Sequence, residues 1–243
     1  MLGKGQTTTI IARPEIAIAI LSDFNRAGRL TNSTHIDTIA PMVTMQDIVC
    51  EQPPPETRFN PEAAFGTGGP FELEIGCGKG GFLLRRAQAH PEIRLLGIEW
   101  ANKYFKFAAD RMARRGATNV RVMRTDARHF VMHSLPPACL SALHVYHPDP
   151  WPKKRHHRRR LFQTDFIDAA INALVPGARW AIQTDHAEYF EWICERMGQA
   201  TGIEQTEYDD PEFSIVDASA QTNFEIKYRK EGRTIYCLAY RKR

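Results

Sequence analysis

The stretch Glu74-Ile75-Gly76-Cys77-Gly78-Lys79-Gly80-Gly81 lies where a short apolar run gives way to a helical pattern. Glycines at such a turn tolerate positive φ and let the backbone pass close to a bound molecule. The spacing G-x-G-x-G differs from the G-x-G-x-x-G of dinucleotide sites, although Gly81 narrows the difference. Alone it reads equally well as a structural turn. Two further acids favour a ligand. Glu99 closes the next apolar run, 23 residues after Gly76, where a carboxylate accepts from both hydroxyls of a ribose. Asp126 closes the third, where an acid accepts from an adenine amino group. Glu74, Gly76, Gly78, Glu99 and Asp126 are therefore read as a nucleoside-binding set. No phosphate-binding feature is needed, so the expected cofactor is S-adenosylmethionine, whose sulfonium and ammonium suit an acidic pocket.

A fourth apolar run ends in His147-Pro148-Asp149-Pro150-Trp151-Pro152. Three prolines at alternate positions fix φ and remove three N–H donors, leaving carbonyl acceptors around one carboxylate. That edge suits a substrate rich in donors, such as guanine N1–H and its amino group. Trp151 is placed either to stack on a base or to pack the loop. Lys153-Lys154-Arg155-His156-His157-Arg158-Arg159-Arg160 follows at once, with six Lys/Arg and no acid, and these exceed the whole net charge of +4. A charge run is commonly a solvated face. One that adjoins a site and holds the entire positive balance points to a polyanion docking there.

The elements that must position these residues are legible from periodicity. Strands are predicted over 71–75, 94–98, 119–123, 140–146 and 179–184, and helices over 80–89, 102–115, 161–174 and 187–197. Late strands follow at 203–208 and 234–240. Such alternation implies a parallel sheet with helices on both faces, an α/β Rossmann-like architecture, and the last two strands form an antiparallel edge. Residues 1–55 differ in character. Ile16, Ile20 and Phe24 recur at helical spacing within 13–30, the start is Thr-rich, and Pro53-Pro54-Pro55 makes a stiff break. They read as an extension, part helical and part disordered, preceding a domain over 56–243.

Composition sets the outer limits. The chain has 243 residues, 43% hydrophobic and 25% charged, enough for one sizeable core. No apolar run approaches the roughly 20 residues that span a bilayer, and no secretory signal is recognised. The five cysteines are scattered without a C-x-x-C pair, which favours reduced thiols and a cytoplasmic location. His129 and His133 share a helical spacing but lack a third ligand, so no metal is expected.

Taken together, E-I-G-C-G-K-G, P-D-P-W-P-K-K-R-H-H-R-R-R-L, Gln183-Thr184-Asp185-His186 and Thr222-Asn223-Phe224-Glu225 closely resemble the tRNA (guanine-N7)-methyltransferase family. The resemblance spans about residues 60–243 in the same order. It implies a Rossmann-like methyltransferase fold, S-adenosylmethionine as donor, and methylation at N7 of a guanine in the tRNA variable loop. Matched by motif, it places Glu74, Glu99, Asp126 and Asp149 against the cofactor, with Asp149 also at the reaction centre. Lys153, Asp185 and Thr222, Asn223, Phe224 and Glu225 fall at substrate-binding positions. Lys154, Arg155, Arg158, Arg159 and Arg160 are read from their charge as the RNA-docking residues. The chain departs at His147 and Asn223, where the family more often has Phe and Lys. Two other readings set the contrast. An exocyclic amino methyltransferase for adenine would spell this loop [DN]-P-P-[YFW], one proline more than Asp149-Pro150-Trp151. A non-enzymatic RNA-binding module on the same fold would be expected to have lost the acids.

Overall fold

The computed structural model describes residues 42–208 and 231–243. The predicted helix within 13–30 and the Thr222–Glu225 motif lie outside the described residues. The apolar runs become strands β1 (Phe71–Ile75), β2 (Arg94–Ile98), β3 (Val120–Met123), β4 (Leu140–Tyr146), β5 (Leu174–Thr184), β6 (Ile203–Thr206) and β7 (Tyr236–Lys242). Their order in the sheet is β3-β2-β1-β4-β5-β7-β6. The first five are parallel, and β7 runs antiparallel to both β5 and β6. The mostly parallel sheet with an antiparallel edge is the one expected. Its strand order reverses between β1 and β4, and open α/β sheets bind ligands beside such a point, at the carboxyl ends of the strands.

Helices α3 (Gly81–Ala89) and α4 (Asn102–Arg114) cover one face, and α6 (Thr164–Ala173) and α7 (Ala187–Gln199) supply the other. β1 shows how the sequence makes this choice. Phe71, Leu73 and Ile75 alternate into the cluster shared with Phe166, Tyr189 and Ile193. Glu72 and Glu74 point the opposite way, and both are nonetheless buried. Each fully buried Leu, Ile or Phe contributes about 1.5–3 kcal/mol of apolar burial. The α3–α4 face is thinner, built around Leu83, Leu95, Ala108, Met112, Val120 and Val122.

Two departures from the periodic reading go beyond a shift at the end of an element. Helix α6 stops at Ala173, and β5 starts at once with Leu174, so Pro176-Gly177 sits inside a strand rather than after a helix. The β4–β5 register jumps there, from Leu140↔Leu174 to Ala142↔Arg179, and a bulge is where a strand tolerates proline. The second concerns residues 42–55. A short helix α1 (Met45–Ile48) buries Ile48 completely against Val122 and its neighbours. Val49 bridges Val122 in parallel, and Cys50 N donates to Val122 O at 2.9 Å. This segment thus continues the sheet beyond β3. A further short helix, α2 (Pro61–Phe65), is capped by the Asn60 side chain accepting from Ala63 N, and α5 (Ala127–His129) runs into a π-helical turn at Phe130–Ser134.

Candidate active site

Glu74, Glu99, Asp126, Asp149 and Asp185 all lie at or just beyond the carboxyl ends of the parallel strands. Gly76 N and Cys77 N both donate to Ile98 O, at 2.8 and 3.0 Å, which ties the turn after β1 to the end of β2. Gly76, Gly78 and Gly80 all have positive φ, at 75°, 54° and 66°, so the alternation of glycines is a backbone requirement. Its consequence is a carboxylate clamp. Gly78 N donates to Glu99 Oε2 at 2.9 Å and Ala101 N to Glu99 Oε1 at 2.8 Å. Each carboxylate oxygen keeps a further lone pair, so the half-buried Glu99 is oriented and still able to accept two hydroxyls.

Glu74 lies beneath the same turn, 3% exposed, and its Oε2 has no hydrogen-bond partner. Burial pushes its carboxyl up to about 8, with Arg85 pulling down and Glu99 adding to the rise. A buried acceptor left unsatisfied costs free energy, and an ammonium or N–H donor from a ligand would relieve it. Asp126 is exposed at the end of β3. It caps α5, its Oδ1 accepting from His129 N at 2.9 Å, and Oδ2 takes no part in that cap. An oriented carboxylate with lone pairs to spare, a buried carboxyl with one unpaired oxygen and a third acid beyond the next strand are a set that S-adenosylmethionine would fit.

The loop after β4 is held in an unusual shape. His147 and Trp151, on either side of Pro148-Asp149-Pro150, have φ of 52° and 44°, which for side chains of this bulk is strained backbone. The surroundings impose it. His147 N donates to Gln183 O at 2.8 Å, and His147 Nδ1 lies 3.6 Å from Asp185 Oδ1. Arg233, just before β7, pairs with Asp185 Oδ2. Asp185 therefore stands beside the loop and ties it to the β7 side. Asp149 itself is exposed.

Arg160 corrects the sequence reading. It is 0% exposed and cannot belong to an RNA-docking surface. Its Nε donates to Pro150 O at 2.9 Å, Nη1 donates to Glu188 Oε1 at 3.0 Å, and Nη2 also engages Glu188. The guanidinium lies 5.0 Å from the Tyr189 ring and 4.9 Å from that of Trp192. It fastens the Asp149 loop to α7. One consequence is that the Pro150 carbonyl, expected to face substrate, is already occupied. Trp151 packs: its ring meets His156 edge-on at 5.8 Å and lies 5.0 Å from the Arg159 guanidinium. Elsewhere in the run His156 and His157 are half-buried and Lys153 is exposed. Lys153 precedes a 3-10 turn over Lys154–Arg159 in which Lys154, Arg155, Arg158 and Arg159 are exposed.

Sequence reasoning missed a polar network under this loop. Glu72 accepts from Arg86 through both oxygens, at 2.6 and 3.0 Å, and its Oε2 lies 3.0 Å from His144 Nε2. His144 Nδ1 is 3.0 Å from the Tyr146 hydroxyl, and Tyr146 is the last residue before the loop. Burial works to raise the Glu72 pKa, but the hydrogen bonds from His144 and Arg86 outweigh it and bring it down to about 2. Burial holds His144 below its ordinary value, so the ring is neutral. We assign its proton to Nε2, donating to Glu72, while Nδ1 accepts from Tyr146. The signal was present in Phe71-Glu72-Leu73-Glu74-Ile75: acids inside a buried strand demand partners. The His129 and His133 rings lie 4.8 Å apart, tilted at 50° to each other. Among the described residues no group of three or more His, Cys, Asp or Glu could hold a metal, and no helix is long and apolar enough to cross a membrane.

Known proteins resemble this chain over most of its length. A family model described as "Putative methyltransferase" matches residues 69–238. A protein of Alkalilimnicola ehrlichii named tRNA (guanine-N(7)-)-methyltransferase is 34% identical over 226 residues, covering 92% of this chain and 93% of that one. One of the same name from Geobacter metallireducens is 34% identical over 180 residues, covering 74% of this chain and 85% of its own. Among solved structures, the 16S rRNA methyltransferase KamB superposes with a TM-score of 0.53 at 16% identity, over 74% of this chain and 91% of its own. TrmN from Thermus thermophilus gives a TM-score of 0.51 at 16% identity, over 75% of this chain and 47% of its own. These structures share the Rossmann-like methyltransferase fold, and the relatives share the sequence across most of both chains, so the chain belongs to the tRNA (guanine-N(7)-)-methyltransferase family.

Proposed function

We propose that this protein transfers a methyl group from S-adenosylmethionine to N7 of a guanine in the variable loop of tRNA, in the cytoplasm. The observation that carries the reading is the arrangement along one sheet edge. The Glu99 clamp at the end of β2 and the buried Glu74 of β1 stand beside the exposed Asp149 after β4, and the exposed basic turn follows directly.

The chemistry asks little of the protein beyond placement. Guanine N7 carries an in-plane lone pair and no proton, so the reacting atom needs no general base. S-adenosylmethionine, when bound, supplies an electrophilic methyl on sulfur. Glu99 accepts the ribose hydroxyls, and Glu74 accepts a donor from the amino-acid end. Asp126 accepts the adenine amino group. The Pro148–Pro152 loop orients the guanine edge, and orientation of this kind is worth several orders of magnitude in rate. Methylated guanine becomes a cation, and the Asp149 carboxylate stabilises that charge as it develops, as a preorganised group. Lys153, Asp185 and the Thr222–Glu225 stretch complete the substrate side. The target base leaves its stack to reach this edge.

The test is nucleoside mapping by mass after incubating unmodified tRNA with donor. The expected product is 7-methylguanosine in the variable loop, and RNA carrying 7-deazaguanine at that position should not react, because the nucleophilic atom is gone. A product running as N6-methyladenosine, or methylation surviving on the 7-deaza substrate, refutes the assignment.

A further inference from the structure

Helix α4 begins three residues after Glu99, and Trp100 just before it and two aromatic rings on it stand exposed. Trp100 is 67% exposed, Tyr104 42% and Phe107 40%. They are not serving the core, since α4 buries Ala108, Ala109 and Met112 instead. Lys103 and Lys106 are interleaved with them at helical spacing, and both are exposed. Cations also arrive from two other elements. Lys79 of the glycine turn lies 5.5 Å from the Phe107 ring centroid, with Arg111 at 5.2 Å. Arg124, at the end of β3, donates from Nε to Trp100 O at 3.3 Å. No acid occurs from Trp100 to Ala109, and Asp110 is engaged by Arg114 one turn on.

We propose that this face of α4 is a second RNA-docking surface, on which unpaired tRNA bases stack against Tyr104 and Phe107 while Lys103, Lys106 and Lys79 hold the adjoining phosphates. Exposed rings alternating with cations are the pattern that binds single-stranded nucleic acid, each ring offering a base a π-face and each cation a phosphate a partner. The absence of balancing acid favours a polyanion over an ordinary protein partner. Position supports it as well. β1 alone separates β2 from β4, so the strand ends carrying Glu99 and Asp149 are about 10 Å apart across the sheet. RNA whose guanine sits at the Asp149 loop has flanking nucleotides within reach of α4, and the basic turn grips the opposite flank. The inference rests on tRNA being the substrate.

The experiment pairs Tyr104→Ala/Phe107→Ala with Lys103→Glu/Lys106→Glu in the full chain. Each is measured for tRNA affinity by filter binding, for steady-state kinetics and for affinity toward S-adenosylhomocysteine by calorimetry. The expected result for the aromatic pair is a tRNA KM raised about tenfold or more, with kcat and S-adenosylhomocysteine affinity held, since lost stacking acts on binding. The charge reversal should also weaken tRNA and flatten its salt dependence. Unchanged tRNA affinity in both variants overturns the proposal, as does a change confined to self-association by sedimentation, which makes the face a protein interface. These outcomes separate from failure of the guanine-N7 reading, which shows in the wild-type product while tRNA affinity of the variants still reports on α4.

Discussion

Asp149 and Arg160 stand eleven positions apart in one motif and do opposite things. Asp149 is exposed at the crest of a strained loop, and Arg160 is fully buried beneath it. Asp149→Asn keeps the shape and removes the charge, so single-turnover methyl transfer should slow by about 10²–10³-fold, the loss typical of one preorganised electrostatic group. Affinity for S-adenosylhomocysteine should change much less. Equal rates for variant and wild type would show that the carboxylate does not sense the charge forming on the base. Arg160 was legible as a cation and illegible as a buried one. Its partner Glu188 lies 28 residues on in α7, and nothing in K-K-R-H-H-R-R-R distinguishes the residue whose side chain turns inward. Asp126 was legible as an acid at a strand end, while its second task as a helix cap follows from Asp-Ala-Arg-His only when the next turn is seen to be helical.

At the scale of elements, most strands were readable because burial on both faces leaves near-continuous apolar runs. The exceptions have a physical cause in each instance. The Pro176-Gly177 pair stops a helix by local rules, yet a bulge absorbs it in β5. Met45–Ile48 reads as part of a loose extension because its packing partner Val122 comes more than seventy residues later. That packing changes what a truncation should do. A chain beginning at Met42 keeps Ile48, the Val49–Val122 bridge and the hydrogen bond from Thr125 Oγ1 to Gln52 Oε1 at 2.6 Å. A chain beginning at Glu56 loses all three, and burial of one isoleucine is worth about 1.5–3 kcal/mol. The Met42 form should therefore keep the fold and methylate tRNA. The Glu56 form should melt several degrees lower while keeping every motif of the site. Identical melting of the two truncated forms in calorimetry would mean that the α1 packing adds nothing to the fold.

For the molecule as a whole, the sheet edge separates two electrostatic tasks. Acids at the ends of β1, β2 and β3 collect on one side of the reversal in strand order, where we propose the cofactor, and cations collect on the turn after β4. Part of the long-range attraction of tRNA should then come from Lys154, Arg155, Arg158 and Arg159, which are exposed, and none from Arg160, which is bound to Glu188. Each phosphate neutralised releases counterions, so the logarithm of affinity falls linearly with the logarithm of salt, by about 0.7–0.9 per contact. Changing the four exposed cations to Gln should lower the magnitude of that slope by about three if each meets a phosphate. It should weaken tRNA most at low salt, where screening is least, and leave cofactor affinity alone. Arg160→Glu is the wrong test of the same idea. It would bury a carboxylate beside Glu188 and release the Pro150 carbonyl, so its defect would appear in melting as well as in binding. Filter binding of tRNA across a salt series distinguishes the cases. A four-fold Gln variant with the wild-type slope would show that the turn is only a solvated face, and that the polyanion is gripped elsewhere on the sheet edge.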